Sequence, residues 1–524
     1  MTIVRELSGW VLSVYPDEAD GAVLWLLGED KTRYRLTEEF PTTFYATGSA
    51  SRLSALRSHL QDFGNPPKLR HTERQHLYKG ILPVLEIQVE NPVAQERLFF
   101  NIKRDFKRLR YFDAKIPFPI RYCAAKGIFP MAKCRILVDG HNQIQEIETL
   151  DSPWDLEGEF PPIREMRIEP DSDPTHTMPQ RLSVRVDDQE WIVRLDNEPE
   201  LLRQLANMLQ EYDPDLILSW WGDGWLFPYL LGIAEKHGIA FNPNRDQRQE
   251  VLHKDELTYE SYGDIHYRAA QTHLFGRWHL DPIITTMDRG FNIQSAIEVA
   301  RVTSVDVQTA ARNSPGSGFT AMQIREALQR GVLVPLHKDQ TERFKTAMQL
   351  NLADSGGLNY RPVVGLHRDV AELDFFSMYP SSTVLYNISG ETVGVEGEKT
   401  LHIPQTSIPV RQDVPGLLSS ILKPLLVKRR AAKKKLVELE QHDPMHAHFQ
   451  AVADGLKWLG YVSFGYQGYK NNLFGNIAAH EAITAVGREM LTRAKEAADD
   501  MEFDVLAANV DSIFVKKNGA SQPE

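Results

Sequence analysis

The stretch Leu373-Asp374-Phe375-Phe376-Ser377-Met378-Tyr379-Pro380-Ser381 decides how this chain is read. Its apolar lead-in (Val370, Ala371, Leu373) predicts a buried strand that ends by delivering one carboxylate, Asp374. Pro380 stops the strand, since its ring fixes φ and removes a donor, and it biases Tyr379 towards an extended conformation. A counterpart lies far along the chain. In Val505-Leu-Ala-Ala-Asn-Val-Asp511-Ser512-Ile-Phe-Val515 a single acid again sits inside an apolar run, followed by Lys516 and Lys517. A carboxylate in such a run is costly unless it is paired or holds a cation. Two of them fit a two-metal phosphoryl-transfer site, in which ions about 3.5–4 Å apart clamp the attacking and leaving oxygens. On spacing alone, two unrelated buried acids remain the alternative.

The motifs resolve this. Asp374-Phe-Phe-Ser-Met-Tyr-Pro-Ser381 resembles the first palm motif of family B DNA polymerases, and Val510-Asp511-Ser-Ile-Phe-Val515 resembles their third. Between them, Lys457-Trp-Leu-Gly-Tyr461-Val-Ser-Phe464-Gly465-Tyr-Gln-Gly-Tyr469 resembles the fingers motif. The resemblance implies a multidomain α/β and α+β architecture. Residues 1–155 would be the N-terminal domain and 156–345 a ribonuclease H-like, degenerate 3′–5′ exonuclease domain. Residues 346–415 and 473–524 would be palm, and 416–472 helical fingers. Only 13 residues follow Asp511, so the expectation is that the thumb is absent and a second polypeptide supplies it, unless the chain is a fragment.

The same resemblance implies roles. Asp374 and Asp511, helped by the Phe375 carbonyl, would bind two Mg²⁺ ions (Mn²⁺ being the substitute). One ion would activate the primer 3′-hydroxyl and the other would hold the triphosphate. Ser377, Met378, Tyr379, Arg429, Lys433, Lys457 and Tyr461 would meet the nucleotide, and Gly465, Tyr466, Ser512, Lys516 and Lys517 the primer–template DNA. Tyr379 under the sugar would exclude a 2′-hydroxyl, the group that separates ribo- from deoxyribonucleotides. Arg429 and Lys433 are four apart and share a helix face. Lys457, Tyr461 and Phe464 follow the i, i+4, i+7 rule. Around a triphosphate an Arg binds as a fork and a Lys as a point charge.

Some positions depart from the pattern. Most relatives carry Asp-Thr-Asp-Ser where this chain has Asn509-Val510-Asp511-Ser512. Tyr461, Val462 and Phe464 replace Asn, Ser and Tyr of the fingers motif, which implies altered nucleotide selection with tolerance of mismatches or lesions. These changes are similar to a divergent prokaryotic branch related to the second family B polymerase of some archaea.

The nuclease domain departs further. A helix over 200–212 leads through Asp213-Pro-Asp215 to a strand over 216–221 and a second helix opening near Trp225. Active relatives carry Asp-x-Glu on the first nuclease strand, where this chain has Arg167-Ile-Glu169. At the second motif Trp221, Trp225 and Leu226 fall on the Asn-x-x-x-Phe-Asp positions, and Asp223 sits three residues early. The third motif has no clear counterpart around Gly290–Ser295. Mg²⁺ requires oxygen ligands, which arginine and leucine cannot supply. The expectation is a nuclease fold without nuclease activity; a rearranged site using Glu169 and Asp223 is the rival.

Composition bounds the rest. Hydrophobic content of 42% and charged content of 25% are those of a globular protein. No apolar run is long enough to span a membrane, and the N-terminus has no signal-peptide core, so the expected location is the cytoplasm, at the nucleoid. Cys123 and Cys134 are too few for a zinc or iron–sulfur site. The net charge of −12 argues against a uniformly basic DNA-coating protein. Two local basic runs, 103–110 and 423–435, offer surfaces for phosphate; a solvated helix face is the alternative for each. Helices are expected over 52–63 and 476–501, the latter beneath the palm strands. A connector over 305–365 is expected to hold a loop at 313–318. The expected function is template-directed DNA synthesis without proofreading. The alternative is a catalytically impaired DNA-binding or assembly subunit of a split polymerase.

Overall fold

The computed structural model describes residues 4–261, 263–284, 293–353 and 355–520. Gly290, Phe291 and Asn292, part of the expected third nuclease motif, lie outside the described residues; Ile293–Thr303 is a helix. The chain divides into two compact units, residues 1–42, 90–95 and 117–314, and residues 43–89, 96–116 and 315–524.

The first unit contains two five-stranded sheets. One is antiparallel, in the order Arg33–Glu38, Gly21–Gly28, Arg5–Asp17, Lys133–Val138, Ile144–Thr149. The other comprises β1 (Glu165–Pro170), β2 (Arg181–Val186), β3 (Gln189–Arg194), β4 (Leu216–Ser219) and β5 (Trp278–Leu280), in the order β3-β2-β1-β4-β5. Its first three strands pair antiparallel, and β1, β4 and β5 run parallel. β1 alternates cleanly: Met166, Ile168 and Pro170 are buried, while Arg167 is exposed and Glu165 and Glu169 are half-buried. That is the period-two signature of a strand with one covered face.

Helices α1 (Glu198–Tyr212) and α2 (Phe227–His237) pack on this sheet through Leu201, Leu202, Leu205, Phe227, Leu230 and Ile233. Asn197 caps α1 by accepting from the Glu200 N–H, and Glu198 and Glu200 place negative charge at its positive end. The strand read as 216–221 stops at Ser219, because Trp221 takes a left-handed φ of 54° and a π-helical turn, Gly222–Leu226, follows. Gly222 is obligatory there, since a Cβ would lie 1.7 Å from Ser219 Oγ. Asp215, fully buried, is held by Arg33 Nε at 2.9 Å, Arg245 Nη2 at 2.9 Å and the Arg164 N–H at 3.0 Å.

Thr42–Thr47, Lys68–His76, Gly80–Val89 and Arg110–Phe112, nearly all in the second unit, form a four-stranded sheet flanked by helices Ala50–Gln61 and Pro92–Asp105. Helix α3 (Pro315–Gln329) begins inside the stretch expected to be a loop, Asn313–Gly318. Proline at a first helical position loses only an N–H that would be orphaned anyway.

The second four-stranded sheet has β6 (Asn359–Tyr360), β7 (Ala371–Asp374), β8 (Asp504–Asn509) and β9 (Ser512–Lys516) in the order β6-β8-β9-β7. Around it lie α4 (Met378–Leu385), α5 (Leu417–Glu438), α6 (Pro444–Gly468) and α7 (Ile477–Asp500). Asn476 caps α7 by accepting from the Ala478 N–H, and the helix buries Ile483, Val486 and Leu491. The strand before Asp374 is not buried as its apolar residues predicted. All four residues of β7 are exposed, Leu373 at 57%, and Val364 and Leu366 just before it stand at 98% and 87%. The reason is position: among the described residues β7 is an edge strand, paired with β9 alone. An open groove of about 360 Å³, lined by Ala371, Leu373, Phe375, Met501, Phe503 and Val515, runs along that edge.

Candidate active site

The two acids read from sequence meet at one end of this sheet. Asp374 is the last residue of β7 and pairs in register with Ser512, the first of β9. The Phe375 N–H donates to the Asp511 carbonyl at 2.8 Å, which locks the two chain segments side by side. Asp511 does not lie within a strand, as its apolar surroundings predicted. It occupies the tight turn between β8 and β9, where Asn509 pairs with Ser512 and Val510 takes a φ of 52°. A β-branched residue at positive φ is a strained conformation, and such strain gathers at functional sites. Gly357 makes room for it, since a Cβ there would lie 2.8 Å from Val510 Cγ2. Both acidic residues are exposed. Desolvation and the charge of Asp374 together push the Asp511 carboxyl above its ordinary range. Two carboxylates that disfavour each other's charge are the donor set a divalent cation relieves.

After β7 the chain turns through Ser377, at φ 48°, into α4. Ser377 Oγ accepts from Arg429 Nη1 at 2.8 Å, so α5 is tied to the residues that follow Asp374. Burial lowers the Arg429 guanidinium below its ordinary value, against the pull of Asp454 and Asp374. The Phe376 ring then gathers cations: Arg429 lies 5.4 Å from its centroid, Arg430 4.8 Å and Lys433 6.0 Å. Neither Phe376 nor Arg430 was singled out in the sequence. Cation–π attraction supplies only about 0.5–1 kcal/mol each at exposed sites, so an anion bound there would lower the repulsion among the three cations beyond what Asp454 and Asp374 offset.

The remaining expected nucleotide residues divide. Met378 is buried, and Tyr379 packs against Phe464 of α6 with ring centroids 4.4 Å apart. Lys457 and Tyr461 are exposed on α6, each against Trp458, at 5.8 and 5.9 Å. Of the expected DNA residues, Gly465 is exposed and Ser512 is buried. Tyr466 packs over Gly316 and edge-on to Phe319, with centroids 6.1 Å apart. Lys516 is half-buried, and Lys517 folds back to donate to the Met501 carbonyl at 3.1 Å.

The positions that correspond to nuclease ligands are arranged differently. Arg167 is exposed on β1 and pairs with Glu165, and Glu169 follows on the same face. Leu226 is wholly buried in the core beneath α2. Asp223 is also wholly buried, and both its oxygens are engaged. Arg312 donates Nε at 2.8 Å and Nη2 at 3.0 Å, and the Thr272 N–H donates at 2.7 Å. The buried Asp281 beside it accepts from the Asp223 N–H at 3.2 Å, and burial raises its carboxyl to about 6. His279, 3.3 Å from Asp223, is held down to about 4 by burial, against the pull of that carboxylate. Among the described residues no group of three or more His, Cys, Asp or Glu is placed to hold a metal ion. Arg312 was not foreseen; a lone arginine far along the chain carries no periodicity that could have announced it.

Residues 319–521 match the model of DNA polymerase family B. The chain is a relative of the family B DNA polymerases. It is 25% identical over 513 residues to DNA polymerase 1 of Pyrococcus abyssi, covering 87% of this chain and 64% of that one. It is 30% identical over 220 residues to DNA polymerase 2 of Saccharolobus solfataricus, covering 42% of this chain and 32% of that one. The fold is similar to that of the family B DNA polymerase from Pyrobaculum calidifontis, with a TM-score of 0.72 at 20% identity, covering 98% of this chain and 75% of the other. The chain thus spans under two thirds of the length of the curated relatives it matches. Among the described residues no helix is long and apolar enough to cross a membrane.

Proposed function

We propose that this chain adds deoxynucleotides to a primer 3′-hydroxyl on a DNA template, by two-metal phosphoryl transfer and without proofreading. The observation that carries this reading is the locked pair of Asp374 and Asp511, with Arg429 of α5 near enough to feel the charge of Asp374. Phosphoryl transfer leaves a protein little covalent work, so positioning and charge neutralisation are most of the chemistry. Asp374, Asp511 and the Phe375 carbonyl would hold Mg²⁺ or Mn²⁺. When bound, the ions lower the pKa of the attacking hydroxyl and offset charge on the leaving oxygen. The chain's own part is to orient the acids through the β7–β9 ladder, to receive the triphosphate on Arg429, Arg430 and Lys433, and to set Tyr379 beneath the sugar.

Loss of proofreading is supported by the state of Asp223. A carboxylate already neutralised by a buried guanidinium and a backbone amide is poorly placed to serve as a Mg²⁺ ligand. Residues 156–345 are on this reading a ribonuclease H-like domain kept for its shape, and the sheet order β3-β2-β1-β4-β5 supports that. An apolar Phe464 where relatives carry tyrosine favours relaxed base selection, and with it mismatch tolerance.

Primer extension tests the reading. With Mg²⁺ and all four dNTPs, the chain extends an annealed primer and Asp511→Asn abolishes extension; an Asp511→Asn variant that still extends refutes the two-metal assignment. Without dNTPs, a 3′-labelled primer stays intact. The second reading, an assembly subunit that works only with a partner, is favoured by the uncovered β7 edge beside Asp374. It predicts DNA binding without extension.

A further inference from the structure

Tyr379 is seated more tightly than a residue at a helix start needs to be. Its ring meets Phe464, with centroids 4.4 Å apart and planes at 47°. Phe464 in turn stacks on His480 of α7, with centroids 5.5 Å apart and planes at 18°. His480 Nδ1 lies 3.2 Å from the Phe464 carbonyl oxygen, which fixes the imidazole in the stack. Tyr379 also lies against Gly487. A Cβ built at 487 would stand 2.7 Å from Tyr379 Cε1 and 3.2 Å from Met378 Sδ. A second glycine closes the seat, since a Cβ at Gly357 would lie 3.3 Å from the Tyr379 hydroxyl. His480 and Gly487 are seven apart on α7, two turns along one face.

We propose that α7, through Gly487 and His480, is a specificity element for the sugar of the incoming nucleotide. It acts as a positioning device, and it rests on the polymerase reading above. The physical argument is one of stiffness. A ribonucleotide differs from a deoxyribonucleotide by one oxygen, so a barrier discriminates only if it cannot retreat by about the radius of an atom. A ring touched on one face only would retreat at the cost of a few dispersion contacts, each about 0.1–0.2 kcal/mol. A ring packed against both a helix backbone and a stacked Phe–His pair has two supports to disturb before it can retreat. Glycine at 487 brings the helix backbone itself against the ring, and no side chain gives way there. The apolar Phe464 makes no hydroxyl hydrogen bond of its own, so packing alone holds it, the stack on His480 included.

The test is single-nucleotide insertion of dCTP and CTP opposite a template guanine, read as the ratio of kcat/KM. His480→Ala loosens Phe464 and lowers the deoxy/ribo ratio about tenfold, by raising use of CTP; His480→Phe, which keeps a stacked ring, restores it. Gly487→Ala drives the Tyr379 ring off α7 and lowers kcat/KM for dCTP about a hundredfold, the cost expected of a misplacement of about 1 Å at a reacting centre. A ratio within twofold of the unaltered chain in both His480→Ala and Gly487→Ala overturns the proposal. Fluorine NMR of the chain labelled with 3-fluorotyrosine, assigned with Tyr379→Phe, reads the seat without any turnover. The Tyr379 resonance shifts in Gly487→Ala and broadens in His480→Ala if the seat is real, and its indifference to both overturns the proposal. If the resonance responds but the unaltered chain inserts neither nucleotide, the polymerase reading fails and the sugar role falls with it, while the seat itself stands.

Discussion

Replacing Arg312 by methionine isolates the charge buried beside α2. The substitution keeps most of the side-chain volume and removes the guanidinium that donates twice to Asp223, at 2.8 and 3.0 Å. Asp223 then retains the Thr272 N–H, in a site with no exposure. Removing one partner of a buried ion pair costs about 3–5 kcal/mol, because it leaves an uncompensated charge. Domains are commonly stable by about 5–15 kcal/mol, so the loss would be a large part of the total. Converting the survivor to a neutral acceptor should return most of it: Arg312→Met with Asp223→Asn is expected to recover at least about 2 kcal/mol, a coupling typical of contacting groups. Urea unfolding followed by tryptophan fluorescence reads both numbers from the midpoint at unchanged slope. If Arg312→Met costs under about 1 kcal/mol, or if the two changes simply add, the pair is not the internal neutralisation described here, and the case against a nuclease site at Asp223 loses its support.

Two further outcomes follow from the same geometry. Burial raises the Asp281 carboxyl to about 6, so the folded protein keeps a proton that the unfolded chain releases near the ordinary value of 3.8. Stability present below that value is therefore lost as pH rises through about 6, and Asp281→Asn should remove the loss. A gain of roughly 3 kcal/mol at pH 8 and almost none at pH 4, from about 1.4 kcal/mol per pKa unit, is expected in thermal unfolding; an equal gain at both pH values would contradict it. Arg429→Lys keeps the charge but loses the donor to Ser377 and the flat contact with Phe376. It should raise KM for dNTPs about tenfold, and Arg429→Ala about a hundredfold, because a fork and a point charge do not substitute for each other. A lysine variant with the KM of the unaltered chain would show that Ser377 and Phe376 do not position this residue.

How much of this was legible in the sequence depended on how far each feature reached along the chain. The α1–β4–α2 succession was readable because periodicity is local, and the helix expected over 476–501 is present as Ile477–Asp500. The pairing of Asp374 with Asp511 was readable only through the motifs, since nothing in either run names its neighbour. Burial was misjudged at both acids for one reason. An apolar run tells what a strand prefers, whereas exposure is decided by how many strands flank it and where the chain turns. Thus Leu373 lies on an open edge, and Asp511 lies in a turn that the hairpin register imposes at Val510. The Asp223–Arg312 pair spans 89 residues, and the convergence of Arg429, Arg430 and Lys433 on Phe376 depends on two segments meeting. Such partners are set by tertiary packing.

The open edge of β7 bears on what it means for a sample of this protein to be folded. Asp374 is joined to the sheet by a single ladder, whereas Ser512 opposite it belongs to β9, which has neighbours on both sides. Segments with few buried contacts open at free energies well below that of the whole domain. A preparation can therefore keep its circular dichroism and its melting curve while a fraction of molecules has released the strand that carries one of the two acids. Protein concentration then overstates the concentration of working sites, and rates per molecule are meaningful only after the competent fraction has been titrated.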